Sequence, residues 1–106
     1  MAERERIIAS LIAIVPELHS RFAVETLALF GSVARGEETG RDGAPKRNVD
    51  ILVTFHPTAP VTLFTLAALT SLFEDRLGRP VDVVEDHPRL RPTFRAAIAK
   101  DLLRIA

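Results

Sequence analysis

The chain of 106 residues has no cysteine, no tyrosine and no tryptophan, and its 14 basic side chains are matched by 14 acidic ones. Without cysteine there is no disulfide framework, no thiolate nucleophile and no thiolate zinc site. The six phenylalanines fall mostly at core-like spacing, so no aromatic platform is expected for stacking single-stranded bases. Zero formal net charge removes the broad basic field that holds proteins on nucleic acid, which is therefore not an expected partner. No apolar run approaches the roughly 20 residues of a membrane span. The mixed-charge opening Met1-Ala2-Glu3-Arg4-Glu5-Arg6 is not a secretory leader. A soluble, cytoplasmic protein with no membrane attachment is expected. What is present is a hydrophobic content of 47%, ordinary for a folded chain, at a length that predicts one domain over 1–106.

Apolar residues at Ile7, Ile8, Leu11, Ile12, Val15 and Leu18 have the spacing of a helix with one buried stripe. Pro16 should kink or end it, because proline removes an amide donor and crowds the preceding turn. Val24–Phe30 is short, apolar and stopped by Gly31, and predicts a buried strand. Gly31-Ser32-Val33-Ala34-Arg35-Gly36 suits a strand-to-helix turn with a short helix, and residues 37–47 predict a solvated loop. Val49–Phe55 predicts a second strand. Thr62 can cap a helix carrying Leu63, Leu66, Ala67, Thr70, Phe73 and Leu77, with Gly78 at its end and Pro80 beyond. Val81-Asp82-Val83-Val84 predicts a third strand, and Phe94, Ile98, Leu102 and Ile105 mark a closing helix. The order α-β-(short α)-β-α-β-α predicts an α+β fold, a small mixed sheet of three or more strands covered by helices.

Three polar features interrupt this apolar scaffold. Gly31-Ser32 sits where a strand gives way to a helix, where free amides and a close-approaching backbone suit phosphate; helix capping is the plainer reading. Asp50 lies inside an apolar strand, where its charge is costly unless paired or bound to metal. Asn48, two positions earlier, leaves the same strand face, with Cβ atoms roughly 7 Å apart. Asp82 repeats the pattern in the next strand. Two such aspartates beside a glycine turn favour a cation-and-phosphate site. Oxygen donors without cysteine or clustered histidine favour magnesium or manganese over zinc.

Taken in order, Phe30-Gly31-Ser32-Val33-Ala34-Arg35-Gly36-Glu37, Asn48-Val49-Asp50-Ile51-Leu52-Val53 and Val81-Asp82-Val83-Val84 resemble the minimal nucleotidyltransferases of the polymerase-β-like superfamily. The resemblance runs from Leu27 to about Ile105. It implies that Gly31 and Ser32, with Arg35, contact the triphosphate of a nucleoside triphosphate, with ATP the expected substrate. It implies that Asp50 and Asp82 ligate Mg2+ or Mn2+, and that Asp82 accepts the proton of an attacking hydroxyl. Arg35 belongs to the signature and is expected either to pair with a carboxylate or to reach phosphate. The implied activity is transfer of AMP to a protein hydroxyl. The implied partner is a helical HEPN protein, with this chain as the antitoxin-type component of the pair; a homo-oligomer is a further expectation.

The chain departs from the family pattern at position 48, where the first carboxylate would stand and Asn48 occurs. An asparagine offers an oxygen but no charge, which weakens metal affinity and alignment of the α-phosphate. Asp42, in the long preceding loop, is the other residue able to supply a charge. The alternative function is accordingly a catalytically impaired module that acts by binding its partner. His19, His56 and His87 share no spacing and are expected in capping or loop roles, the last two close to where a site would open. Arg89, Arg91 and Arg95 form a basic cluster facing Glu85 and Asp86; surface pairing is the plainer reading, and contact with substrate phosphate or an acidic partner the functional one.

Overall fold

The computed structural model describes residues 3–36 and 48–106; the loop expected at 37–47, with Asp42, lies outside them. The chain runs α1 (Glu3–Phe22), β1 (Val24–Phe30), α2 (Gly31–Ala34), β2 (Val49–Phe55), α3 (Leu63–Leu77), β3 (Val81–Glu85), α4 (Pro92–Asp101) and β4 (Leu103–Arg104). The four strands form one mixed sheet in the order β3-β2-β1-β4. β2 pairs parallel with β3 and antiparallel with β1, and β4 pairs antiparallel with β1. This is the α+β architecture expected, with one strand added.

Strand alternation divides the sheet into two unequal faces. Leu27, Leu29, Val49, Ile51, Val53 and Val81 point to one side, where they pack with Ile7, Leu11, Ile14 and Leu18 of α1 and with Leu69 and Phe73 of α3. This is the core. The opposite side carries Ala28 and Phe30 on β1, Asp50 and Leu52 on β2, and Asp82 and Val84 on β3. Only its β1 edge is well covered, where Phe94 of α4 meets Phe30 edge-on with ring centroids 6.5 Å apart. Apolar burial therefore fixes the sheet from behind and leaves the polar residues of β2 and β3 on a face that, among the described residues, side chains do not close.

Helix α3 begins and ends as its sequence predicts. Thr62 and Thr65 form a reciprocal capping box, and Gly78 turns left-handed at φ 69°, its amide donating to the Glu74 carbonyl at 2.8 Å. Of the two outcomes expected at Pro16, an end to the helix does not occur: α1 continues to Phe22 with the proline inside it. Proline there frees the carbonyl of Ile12, and Ile12 is 55% exposed, so the lost hydrogen bond falls on the side where water can solvate it. The closing helix also differs. It stops at Asp101, and Leu102 and Ile105 are not on it. The chain extends instead, and Ile105 donates to the Leu27 carbonyl at 2.8 Å while Leu27 donates to that of Ala106 at 3.2 Å. Edge pairing satisfies backbone groups of β1 that a longer helix would have left without partners. Among the described residues, no helix is long and apolar enough to cross a membrane.

Candidate functional site

Three chain segments converge where β1 ends and β2 and β3 begin. Register sets this up: Phe30, the last residue of β1, is opposite Asp50, and Asp50 is level with Asp82 on the parallel neighbour. Residues level with each other on adjacent strands share a face, so both carboxylates stand on the open side of the sheet. Gly31, Ser32, Arg35, Asn48, Asp50 and Asp82 together line a shallow depression of about 470 Å³. All six residues singled out in the sequence thus lie around one concavity.

Glycine is required at the turn for two reasons. Gly31 has φ +74°, the left-handed region that other L-residues avoid. A Cβ added there would overlap Asp50 Oδ2 and lie 3.2 Å from its Cγ. The missing side chain is the space into which the carboxylate fits. Ser32 follows in the first turn of α2 and is a buried polar residue, 4% exposed.

Asp50 is half-buried, and its charge is poorly compensated. Burial pushes its carboxyl above the usual carboxylate range, the neighbouring Asp82 charge pushes the same way, and Arg35 opposes both. Arg35 itself pairs with Asp101 of α4, Nη1 to Oδ2 at 2.8 Å. Asn48 Nδ2 donates to Asp82 Oδ2 at 3.0 Å. That amide orientation follows from chemistry, since turning the oxygen inward would set two acceptors against each other. The carbonyl of Pro80 accepts from Val49 N–H at 3.0 Å, holding position 48 beside the start of β3.

The donor set fits a hard divalent cation such as Mg2+ or Mn2+: two carboxylates level with each other on one face, with no sulfur or imidazole lining the depression. Among the described residues no group of three or more His, Cys, Asp or Glu is arranged to hold a metal.

Asp101 was not foreseen as part of this neighbourhood. It sits at the end of α4 among exposed residues, and no local pattern relates it to Arg35, 66 positions away. His56 and His87 follow the far ends of β2 and β3. Because those strands are parallel, their far ends lie away from the ends that carry Asp50 and Asp82, so neither imidazole enters the site. Their Nδ1 atoms accept backbone N–H groups of Thr58 and Arg89 at 3.2 and 3.0 Å, while His19 Nδ1 lies 3.2 Å from the Val24 carbonyl. Arg95 pairs with Asp86 at 2.5 Å and donates to the His87 carbonyl at 2.7 Å, a surface role.

Comparison with known proteins bears on this arrangement. A family model described as polymerase beta, nucleotidyltransferase matches residues 13–105. The protein adenylyltransferase MntA of Thermococcus cleftensis is 34% identical over 104 residues, covering 98% of this chain and 93% of that protein. A provisionally named protein adenylyltransferase of Methanocaldococcus jannaschii is 33% identical over 88 residues, 83% of each chain. Among solved structures, one provisionally named a minimal nucleotidyltransferase superposes with a TM-score of 0.67 at 29% identity, covering 97% of this chain and 95% of that one. A chain of the tri-AMPylated HEPN toxin complex with MNT antitoxin from Shewanella oneidensis shares the fold at a TM-score of 0.63 and 14% identity, covering 97% of this chain and 71% of that one.

Proposed function

This chain belongs to the polymerase β nucleotidyltransferase family, as one of its minimal members, and from that premise we propose that it transfers AMP from Mg-ATP to a hydroxyl of a protein partner. The observation that carries the reading is the level placement of Asp50 and Asp82 on neighbouring parallel strands beside Gly31-Ser32.

The roles follow from position. Amides of the turn at Gly31-Ser32, with the Ser32 hydroxyl, orient the phosphates, and Arg35 contributes positive charge at the same rim. Asp50 and Asp82 would hold the divalent ion, Mg2+ or Mn2+. When bound, that ion offsets charge on the α-phosphate and on the departing oxygen. The acceptor hydroxyl forms a new O–P bond at the α-phosphorus, the bond to the β-phosphate oxygen breaks, and pyrophosphate leaves with that electron pair. Asp82 takes the hydroxyl proton. Only one of its oxygens is engaged among the described residues, by Asn48, which leaves the other to act as base.

The partner reading is a HEPN protein neutralised by this chain as an antitoxin, in the cytoplasm. It is supported by the adenylyltransferase relatives and by the fold shared with the MNT chain of a toxin complex. Leu63 and Phe64, 83% and 87% exposed at the start of α3, supply apolar surface that a partner or a second copy would cover. A second reading, neutralisation by contact alone, is favoured by the uncharged Asn48.

The experiment is incubation with Mg2+, a HEPN protein as candidate partner, and ATP labelled at either the α- or the γ-phosphate. Label from the α-phosphate alone should reach the partner, and Asp50→Ala and Asp82→Ala should abolish it. No α-label transfer, together with equal neutralisation by the double variant, decides for contact alone.

A further inference from the structure

A carboxylate at position 48 would stand where the Asn48 amide now touches Asp82. Backbone pairing of Val49 to Pro80 holds the main chain there, and in the rotamer that Asn48 adopts two carboxylate oxygens would meet at about the present 3.0 Å. Such a contact persists only with a cation or a proton between the oxygens. The amide N–H removes that need: it donates to Asp82 Oδ2 and holds the side chain without any ion. Among the described residues two carboxylates of the depression then remain, Asp50 and Asp82, and one divalent cation balances them.

We propose that Asn48 is a positioning residue for Asp82 whose amide N–H takes the place of one cation, so that without nucleotide the site holds a single divalent ion per chain. This rests on the nucleotidyl-transfer reading for the site's purpose but not for its geometry. The second charge pair of a two-ion reaction then has to arrive with the triphosphate, which makes completion of the site dependent on nucleotide.

The test is titration with Mn2+ in the absence of nucleotide, following the electron paramagnetic resonance signal of the free ion, on the unmodified chain and on Asn48→Asp and Asn48→Ala. The unmodified chain should bind one Mn2+. Asn48→Asp should bind two, and its thermal midpoint in EDTA should fall and recover on adding Mn2+. Asn48→Ala should keep one ion but bind it about tenfold more weakly, the cost typical of losing an outer hydrogen bond to a ligand. Two ions on the unmodified chain, no gain with Asn48→Asp, or unchanged affinity with Asn48→Ala overturns the proposal, as does an absence of binding throughout. Transfer of α-label measured in parallel separates the two ideas. Transfer by an unmodified chain that binds two ions refutes the role of Asn48 alone. One-ion binding without transfer by either the unmodified chain or Asn48→Asp refutes the reading of the reaction alone.

Discussion

Replacing Gly31 by alanine tests whether the turn exists to admit a phosphate or, first, to admit Asp50. Two costs are built into that substitution. The backbone at φ +74° is left-handed, which costs an L-residue about 1–2 kcal/mol. The new methyl would also occupy the space of Asp50 Oδ2, so the carboxylate must leave its rotamer, at about 0.5–1.5 kcal/mol. Together these predict a loss of about 2–3 kcal/mol, which lowers the midpoint of a domain this size by roughly 10 °C or more. The two parts separate in a double-mutant cycle by urea denaturation. In an Asp50→Ala background the overlap is gone while the backbone cost remains, because Asp50 Cβ lies 3.5 Å from the added atom, an ordinary contact. Gly31→Ala should therefore cost about 1 kcal/mol less in that background, a coupling within the range seen for residues in contact. Equal costs in both backgrounds would show that the glycine is kept for backbone conformation alone and refute the fit between turn and carboxylate.

Three further outcomes follow from the same geometry. Asp50→Asn should raise the thermal midpoint near neutral pH. The native carboxyl binds its proton more tightly than the unfolded one, so its contribution is full below the unfolded value and lost as pH rises through the higher folded value; melts from pH 3 to 8 should show the two proteins converging in acid and parting above, and a constant gap contradicts the assignment. Arg35→Ala breaks the partly exposed pair with Asp101 and should cost less than about 1 kcal/mol of stability while weakening ATP binding, measured by calorimetry; a large stability loss with intact binding reverses the roles. Pro16→Ala restores the missing donor inside α1 and should stabilise by more than about 1 kcal/mol, read from urea midpoints.

The sequence announced those elements whose signals are local. Thr62 and Gly78 mark the ends of α3 because capping acts within four residues, and Asp50 and Asp82 stood out because a charge inside an apolar strand is conspicuous wherever the strand goes. What escaped depends on distant partners. Leu102 and Ile105 continue a helical spacing, yet β1 claims the residues that follow Asp101 for its edge. The Arg35–Asp101 pair needs α4 laid across the end of β1, and the demand of Asp50 on Gly31 needs the antiparallel register of β1 and β2. Pro16 does not end α1 because proline's cost depends on which side of the helix loses its bond, and burial decides that.

Among the described residues nothing roofs the face of β2 and β3, and for the proposed transfer this has a consequence for selectivity. A site that is a floor without walls cannot by itself favour a protein hydroxyl over bulk water, since either can reach an α-phosphate laid on it. In the proposed transfer, discrimination is handed to whatever docks: an acceptor protein would supply the ceiling and dry the reaction by the act of presenting its own hydroxyl. In the free chain, a bound nucleotide would stay wet and idle until that ceiling arrives.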